Sequence, residues 1–421
     1  MSYREEERGR REENCFSAAR LVAVLAALAL GAGPLAAQNV AVRGETVYTM
    51  AGPPIQDGVV LIRDGKVERV GPAAQVRIPE GYRTLTARVV TPGLIDAHTV
   101  VGLAGYLNQP HDQDQLDRTN PIQPELRAID AYNAEEELVG WLRNFGVTTL
   151  HTGHGPGALI SGQTMVVKTT GRNVGEALVD SATMVAFTLG PEVSGNFPNR
   201  APGTRAKGVA MLRTELLKAQ EYARKQRGPA AQRPARDLSL ETLALVLSGE
   251  LPALITAQRA GEILSALRLQ QEFGFKLVLD GAAESYLVID EIERAGVPVI
   301  LHPTMVRPGG ETENATVETA KKLRDAGITV ALQSGYEGYV PKTRVVLFEA
   351  AITAANGLSA EEALRTITLD AARAIGQERR LGSLERGKDG DVVLFDGDPF
   401  EYTSHVCGVI IEGRIVSEAC R

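Results

Sequence analysis

Between residues 135 and 376 the chain repeats one instruction: a helical stretch, a glycine, then a short apolar run rich in β-branched residues. Helical periodicity over 135–144 stops before Gly146, over 257–273 at Gly274, over 286–295 at Gly296, over 317–326 at Gly327 and over 361–375 at Gly376. A glycine past a helix end takes up the left-handed conformation that other residues resist, and the β-branched run after it favours extended backbone. Apolar strand candidates fall at 94–95, 147–150, 165–167, 253–255, 276–279, 297–301 and 329–332. This alternation, sustained over 93–385, predicts an α/β fold, and at this length a (β/α)8 barrel. The competing open, doubly wound sheet lacks a GxGxxG string after its first strand. Residues 190–236, rich in Gly, Pro, Asn and Arg around a helix at 210–227, read as a βα-loop excursion on the face where a barrel carries its chemistry.

The two chain ends show strand periodicity only. Residues 58–63 and 66–71 flank Asp64-Gly65, a strong hairpin signal, and 391–396 precedes a second hairpin turning at Glu412-Gly413. Residues 40–92 and 386–421 are therefore expected to form one small β-sandwich domain into which the barrel, 93–385, is inserted.

The first 37 residues stand apart. Leu21 to Leu30 is an unbroken apolar run, followed by Gly31, Gly33, Pro34 and the small pair Ala36-Ala37. A run of that length is short for a membrane span and fits a signal peptide cleaved after Ala37. Five Arg and five Glu in residues 1–20 make the leader's head neutral, where a signal peptide is usually positive. The mature protein is expected to be exported, periplasmic or extracellular, and to meet a membrane only through that segment. It then retains two cysteines, Cys407 and Cys420. An oxidising compartment favours a bridge between them, although ideal hairpin register pairs Cys407 with Glu418 and the bridge requires a bulge or a frayed end.

Composition narrows the partners. Lys plus Arg total 45 against 52 Asp plus Glu, and aromatics are 5%, so neither a polyanion groove nor a base-stacking surface is indicated and no nucleic acid is expected. A small-molecule or peptide-like substrate is expected, and an oligomer is compatible with this composition. No Gly-x-Ser-x-Gly elbow or Gly-Lys-Ser phosphate loop is present.

The most specific string is Thr91-Pro-Gly-Leu-Ile-Asp-Ala-His98, and the tail segments 363–376 and 381–396 accompany it. Together they resemble the amidohydrolase superfamily, and most nearly its exported imidazolonepropionase-like members, over about residues 44–417. The resemblance implies a metal-dependent barrel hydrolase. Its members use His-x-His on strand one, often a carbamylated lysine on strand four, histidines on strands five and six and an aspartate on strand eight. Such ligands hold a zinc-type ion and bring the pKa of bound water to ~7.

This chain departs from that pattern. Strand one reads His98-Thr99-Val100, strand five falls at Thr256-Ala257, strand six at Asp280, and strand eight at Gln333-Ser334 where an aspartate is expected. The remaining candidates are His98, His151 and His154 as metal ligands, Asp280 and His302 as catalytic groups, and Lys168 as a substrate contact in the place of the carbamylated lysine. His111 reads as a solvated loop residue and His405 as structural. The expected cofactor is one divalent ion, zinc above others, weakly held or absent. The expected function is metal-assisted hydrolysis of a non-peptide C–N bond, amide or cyclic amide, in a small or peptide-like substrate, with water attacking a carbonyl polarised by an ion on His98. The alternatives are a barrel that lost its metal and serves as a binding or assembly module, and a metal-free hydrolase.

Overall fold

The computed structural model describes residues 39–107, 109–305, 308–335 and 345–420. The apolar run Leu21–Leu30 and the cleavage point after Ala37 lie outside the described residues.

Strands β1 (Val40–Val47), β2 (Ile55–Arg63), β3 (Lys66–Pro72) and β4 (Arg83–Pro92) come from one end of the chain. Strand β4 leads directly into β5 (Leu94–Thr99), the first barrel strand. The barrel continues through β6 (Val147–Gly153) and β7 (Ile160–Lys168), on which the short β8 (Leu178–Asp180) pairs. It then runs through β9 (Val185–Leu189), β10 (Ala253–Ala257), β11 (Leu277–Gly281), β12 (Val299–Leu301) and β13 (Val330–Leu332). The chain returns to the first sheet with β14 (Val392–Phe395), β15 (Val406–Ile411) and β16 (Arg414–Ser417).

The strands from the two ends form a single seven-stranded sheet, ordered β16-β15-β14-β4-β1-β2-β3, in which β14 pairs antiparallel with β4. Side-chain alternation decides what each face covers. Val392, Leu394 and Ile410 join Val40, Val42, Val60 and Ile62 in the sheet's own core, while Val393, Phe395, Val409 and Ile411 face the barrel core. The second hairpin turns at Glu412-Gly413, where both residues take positive φ of 48° and 73° as a tight two-residue turn demands. A register shift between Val409 and Ile410 supplies the bulge, and Cys407 and Cys420 are disulfide-bonded.

The eight barrel strands follow the order β5-β6-β7-β9-β10-β11-β12-β13. A parallel bridge between Thr99 and Gly335 brings the last strand back to the first. Seven strands are parallel, as the alternating pattern requires. Strand β7 runs antiparallel to both neighbours, β6 and β9, because only a short connection separates it from β6 and no crossover helix intervenes.

The barrel interior is layered. Leu254, Val278, Ile300 and Ala331 point inward with Ile95, Val166 and Met184 to form an apolar floor. Ala371, Ala372, Ala374 and Ile375, on and just after helix Leu369–Ala374, plug it from below. The intervening residues, among them Ile255, Leu279, Leu301 and Leu332, point outward into the core shared with the helices.

Three expectations need correction. The strand Val185–Leu189 was missed; it is short and runs straight into Gly190-Pro191, and it is barrel strand four. The helix expected over 361–375 is two helices, Ala360–Thr366 and Leu369–Ala374, because the Ile367 carbonyl accepts the Ile95 N–H (2.8 Å) from the barrel. Lys168 does not face the site. The reversal of β7 carries its C-terminal end to the floor side of the barrel, and there Lys168 is buried against Asp391 and Asp389, the latter at 3.1 Å.

This ion cluster sits where the sheet meets the barrel. Gly93, between the two, donates its N–H to the Asp391 carbonyl (2.9 Å), and a Cβ there would lie 2.1 Å from Thr148 Oγ1, so no larger residue fits. Burial raises Asp391 above its ordinary carboxylate value despite Lys168 beside it. Asp389 is also held by Lys66 (2.5 Å) and Arg380 (2.7 Å). Lys168→Met would leave Asp391 buried without its cation, and the loss of one partner of a buried pair costs about 3–5 kcal/mol. Urea unfolding should show a loss of that size, against less than about 1 kcal/mol for Lys321→Met, which breaks the exposed Lys321–Asp325 pair.

Candidate active site

One step above the apolar floor, the next inward residue on strands β10 to β13 is polar. Thr256 follows Leu254, Asp280 follows Val278, His302 follows Ile300 and Gln333 follows Ala331. His98 on β5, His151 on β6 and Thr164 on β7 complete the ring. All seven are buried, none more than 4% exposed. This layer lies toward the C-terminal ends of the parallel strands, where barrel chemistry is carried.

Asp280 is its hub. Its Oδ1 accepts from His98 Nδ1 (2.9 Å) and from Gln333 Nε2 (2.9 Å), and its Oδ2 accepts from Thr256 Oγ1 (2.6 Å). The carboxylate holds the proton on His98 Nδ1 and so leaves the ring's lone pair on Nε2. The Gln333 amide also donates to the Ile300 carbonyl (3.3 Å), so both its donors point at protein acceptors and its orientation is determined.

His151 stacks near His98, with ring centroids 5.8 Å apart. Its Nδ1 donates to the Ala97 carbonyl (2.6 Å) and its Nε2 meets Thr164 Oγ1 (2.7 Å). Burial, and after it the neighbouring His98, lowers its pKa to about 3, so the ring is neutral at pH 7. His302 Nδ1 donates to the Pro303 carbonyl (2.7 Å), and burial lowers its pKa as well.

His154 is set apart. It lies past the end of β6 against Gly162, with the backbone of Gln115 and the carboxylates of Asp114 and Asp117 acting on it, and burial lowers its pKa to about 4. His111 is exposed on a single 3-10 turn, and exposed His405 pairs with Asp396 (2.9 Å). The structure thus brings together His98, His151, Asp280 and His302, and excludes His154 and Lys168.

A zinc ion needs donor atoms at about 2.0–2.2 Å, hence several nitrogens or oxygens crowded on one point. Among the described residues, the only group of three or more His, Cys, Asp or Glu donors within 4.8 Å of one another is Asp396, Cys407 and Cys420, whose sulfurs are already bonded to each other. His98, His151 and Asp280 instead spend donors and acceptors on Ala97, Thr164, Thr256, Gln333 and one another. As arranged, the residues of the layer do not fit a zinc ion, and His151 and His154 are not ligands in this arrangement.

Reading the string alone missed Thr164, Gln333 and Asp96. Parity was the available signal for Gln333, since it lies two residues past the inward Ala331. Asp96 had none. It closes the barrel seam, accepting from Ser334 Oγ (2.5 Å) and Ser334 N (3.0 Å), and the Ser334 hydroxyl also meets Thr99 Oγ1 (3.2 Å). Burial pushes the Asp96 carboxyl up to about 7, and the Ser334 contacts oppose that shift without cancelling it. From about pH 4 to 7 the folded chain therefore keeps a proton that the unfolded chain has released. This contribution to stability falls as pH rises through that window and is level above it. The Asp96→Asn variant should lack the fall, on the order of 4 kcal/mol between pH 4 and 7, in unfolding free energies measured by urea titration across that range.

The comparisons with known proteins agree with this architecture. An amidohydrolase-family model matches residues 281–417. Over 408 residues the chain is 26% identical to an imidazolonepropionase of Porphyromonas gingivalis, covering 88% of this chain and 91% of that one. It is 24% identical over 391 residues to the amidohydrolase tasK of Hapsidospora irregularis, covering 85% of this chain and 39% of that longer protein. A solved amidohydrolase from Thermotoga maritima matches with a TM-score of 0.84 at 28% identity, covering 90% of this chain and 100% of that one. A barrel joined to a terminal sheet, a strand-one His98 and these similarities support an imidazolonepropionase-like protein of the amidohydrolase superfamily.

Proposed function

We propose that this protein hydrolyses a non-peptide C–N bond, an amide or cyclic amide, in a small or peptide-like substrate. Superfamily membership supports C–N hydrolysis of a small molecule. The observation that carries the reading to this chain is the buried His98–Asp280 pair at the strand ends. Asp280, itself held by Thr256 and Gln333, orients His98 so that Nε2 takes a proton from water as the water attacks the carbonyl carbon. The same nitrogen then returns a proton to the departing nitrogen. Positioned acid–base groups of this kind contribute ~10²–10⁴-fold.

The test is a panel of amides and cyclic amides assayed with the purified protein. His98→Ala should lower kcat by at least about a hundredfold on any substrate that turns over, and Asp280→Asn should lower it similarly by releasing the ring's tautomer. Full activity in both variants removes the assignment.

The protein is further proposed to hold at most one divalent ion, weakly, because the strand-two, strand-six and strand-eight positions are engaged with protein partners. Elemental analysis after dialysis without chelator should give less than one zinc per chain. Two tightly held ions would show that the layer rearranges around metal. Export is part of the same proposal and is supported by the Cys407–Cys420 bridge, a bond that persists in oxidising compartments.

A further inference from the structure

The terminal sheet carries a second cluster of chemistry-bearing side chains, which the hydrolase reading does not use. Asp396 stands directly after β14, Cys407 lies within β15, and Cys420 lies three residues past β16. A carboxylate oxygen of Asp396 and the two sulfurs all fall within 4.8 Å of one another. His405 fixes the carboxylate: its backbone N–H donates to Oδ1 (2.7 Å) and its ring Nδ1 to Oδ2 (2.9 Å). The backbone contact above all holds Asp396 below the ordinary carboxylate range, so the group is ionised at pH 7.

The cluster is open to reagents. The bridge and Asp396 line a cleft of about 660 Å³ together with Arg43, Glu45, Asp57 and Arg88. Both guanidiniums of the cleft are engaged elsewhere, Arg43 with Asp57 (2.7 Å) and Arg88 with Glu45 (3.8 Å). While the bridge stands, its sulfurs are neutral. Once it is opened, two thiols face a carboxylate, and ionising them would crowd three negative charges into one small space. Protons or a cation must offset that charge. Thiolate sulfur selects zinc-type ions, and zinc takes sulfur at about 2.3 Å and carboxylate oxygen at about 2.0–2.2 Å in a four-coordinate shell. Residues 418–420 are exposed beyond the strand end, which leaves Cys420 room to draw back from a bonded sulfur to a ligand's spacing.

We propose that Cys407, Cys420 and Asp396 form a redox-gated zinc site, closed while the bridge stands and formed when a dithiol reductant opens it. The dithiol attacks one bridge sulfur, and its second thiol resolves the mixed disulfide. Two electrons and two protons pass to Cys407 and Cys420, which become thiols, and the reductant leaves as a disulfide. Zinc then takes both sulfurs as thiolates and displaces those two protons, with Asp396 as third ligand and water as fourth. His405 is a positioning residue that holds the carboxylate. The same residues thus tie β15 to the segment after β16 in two ways, by a covalent bond under oxidising conditions and by an ion under reducing ones. This site is independent of the hydrolase reading.

In the test, purified protein is reduced with dithiothreitol, desalted under argon and titrated with Zn²⁺ or Co²⁺ beside the bridged protein. By calorimetry the reduced protein should take up one zinc per chain more than the bridged protein. Its cobalt form should show thiolate-to-metal charge-transfer absorption that the bridged protein lacks. Cys420→Ser should abolish the added site, and Asp396→Asn should weaken it by at least about tenfold. His405→Ala should weaken it by roughly tenfold while the charge-transfer absorption per bound ion is unchanged, which a general loss of structure would not give. Melting temperatures matched to the reduced parent show that each variant keeps its fold. Equal zinc uptake by reduced and bridged proteins overturns the proposal. So does an added ion whose affinity Asp396→Asn leaves unchanged. An added ion that survives Cys420→Ser and is lost in His98→Ala belongs to the barrel and overturns it as well.

Discussion

Everything in this barrel depends on strand parity. Because successive residues of a strand face opposite ways, the apolar floor of Ile95, Val166, Met184, Leu254, Val278, Ile300 and Ala331 sets which residues stand above it. A one-residue slip in any strand would send an apolar side chain into the polar layer and a polar one out among the helices. The floor is what delivers Asp280, His302 and Gln333, each two residues past a floor residue, to one level; His98, three residues past Ile95, joins them where the register of β5 against β6 shifts between Asp96 and Thr99, and the alanine-rich helix beneath supplies the close packing that holds the floor.

The layer above the floor has exchanged charge for hydrogen bonds. The amidohydrolase pattern gathers imidazoles and carboxylates around an ion, whose positive charge offsets their mutual repulsion and their burial. Here one carboxylate, Asp280, receives three donors from His98, Thr256 and Gln333, and the seam carboxyl Asp96 receives two from Ser334. Donors of this kind satisfy a buried carboxylate without a metal. Ser334 at the strand-eight position belongs to the same exchange: it donates to Asp96 where the superfamily pattern places an acid.

The fold was largely legible in the sequence because its signals are local. Helix-closing glycines, β-branched runs and the Asp64-Gly65 turn act within a few residues, and they sufficed for the barrel and the terminal sheet. What escaped reading depends on partners distant in the chain. The break between Thr366 and Leu369 needs the Ile95 N–H, which lies 272 positions upstream of the Ile367 carbonyl that accepts it. The site was half legible: the His98 motif and strand ends pointed to Asp280 and His302. Lys168 was misplaced because strand direction is not written in a strand's own residues. Gln333 was passed over because glutamine is an unremarkable residue until its neighbours hold both its hydrogens.

The reversed strand β7 limits how this scaffold can diversify. A parallel strand hands its C-terminal end to a loop that can lengthen at the site's mouth. Strand β7 instead meets β6 through residues 154–159, a short connection whose every residue is buried. That side of the rim cannot accept insertions without disturbing the barrel wall. Room to lengthen at the site's mouth is therefore left to the longer segments on either side, 109–136 and 190–236.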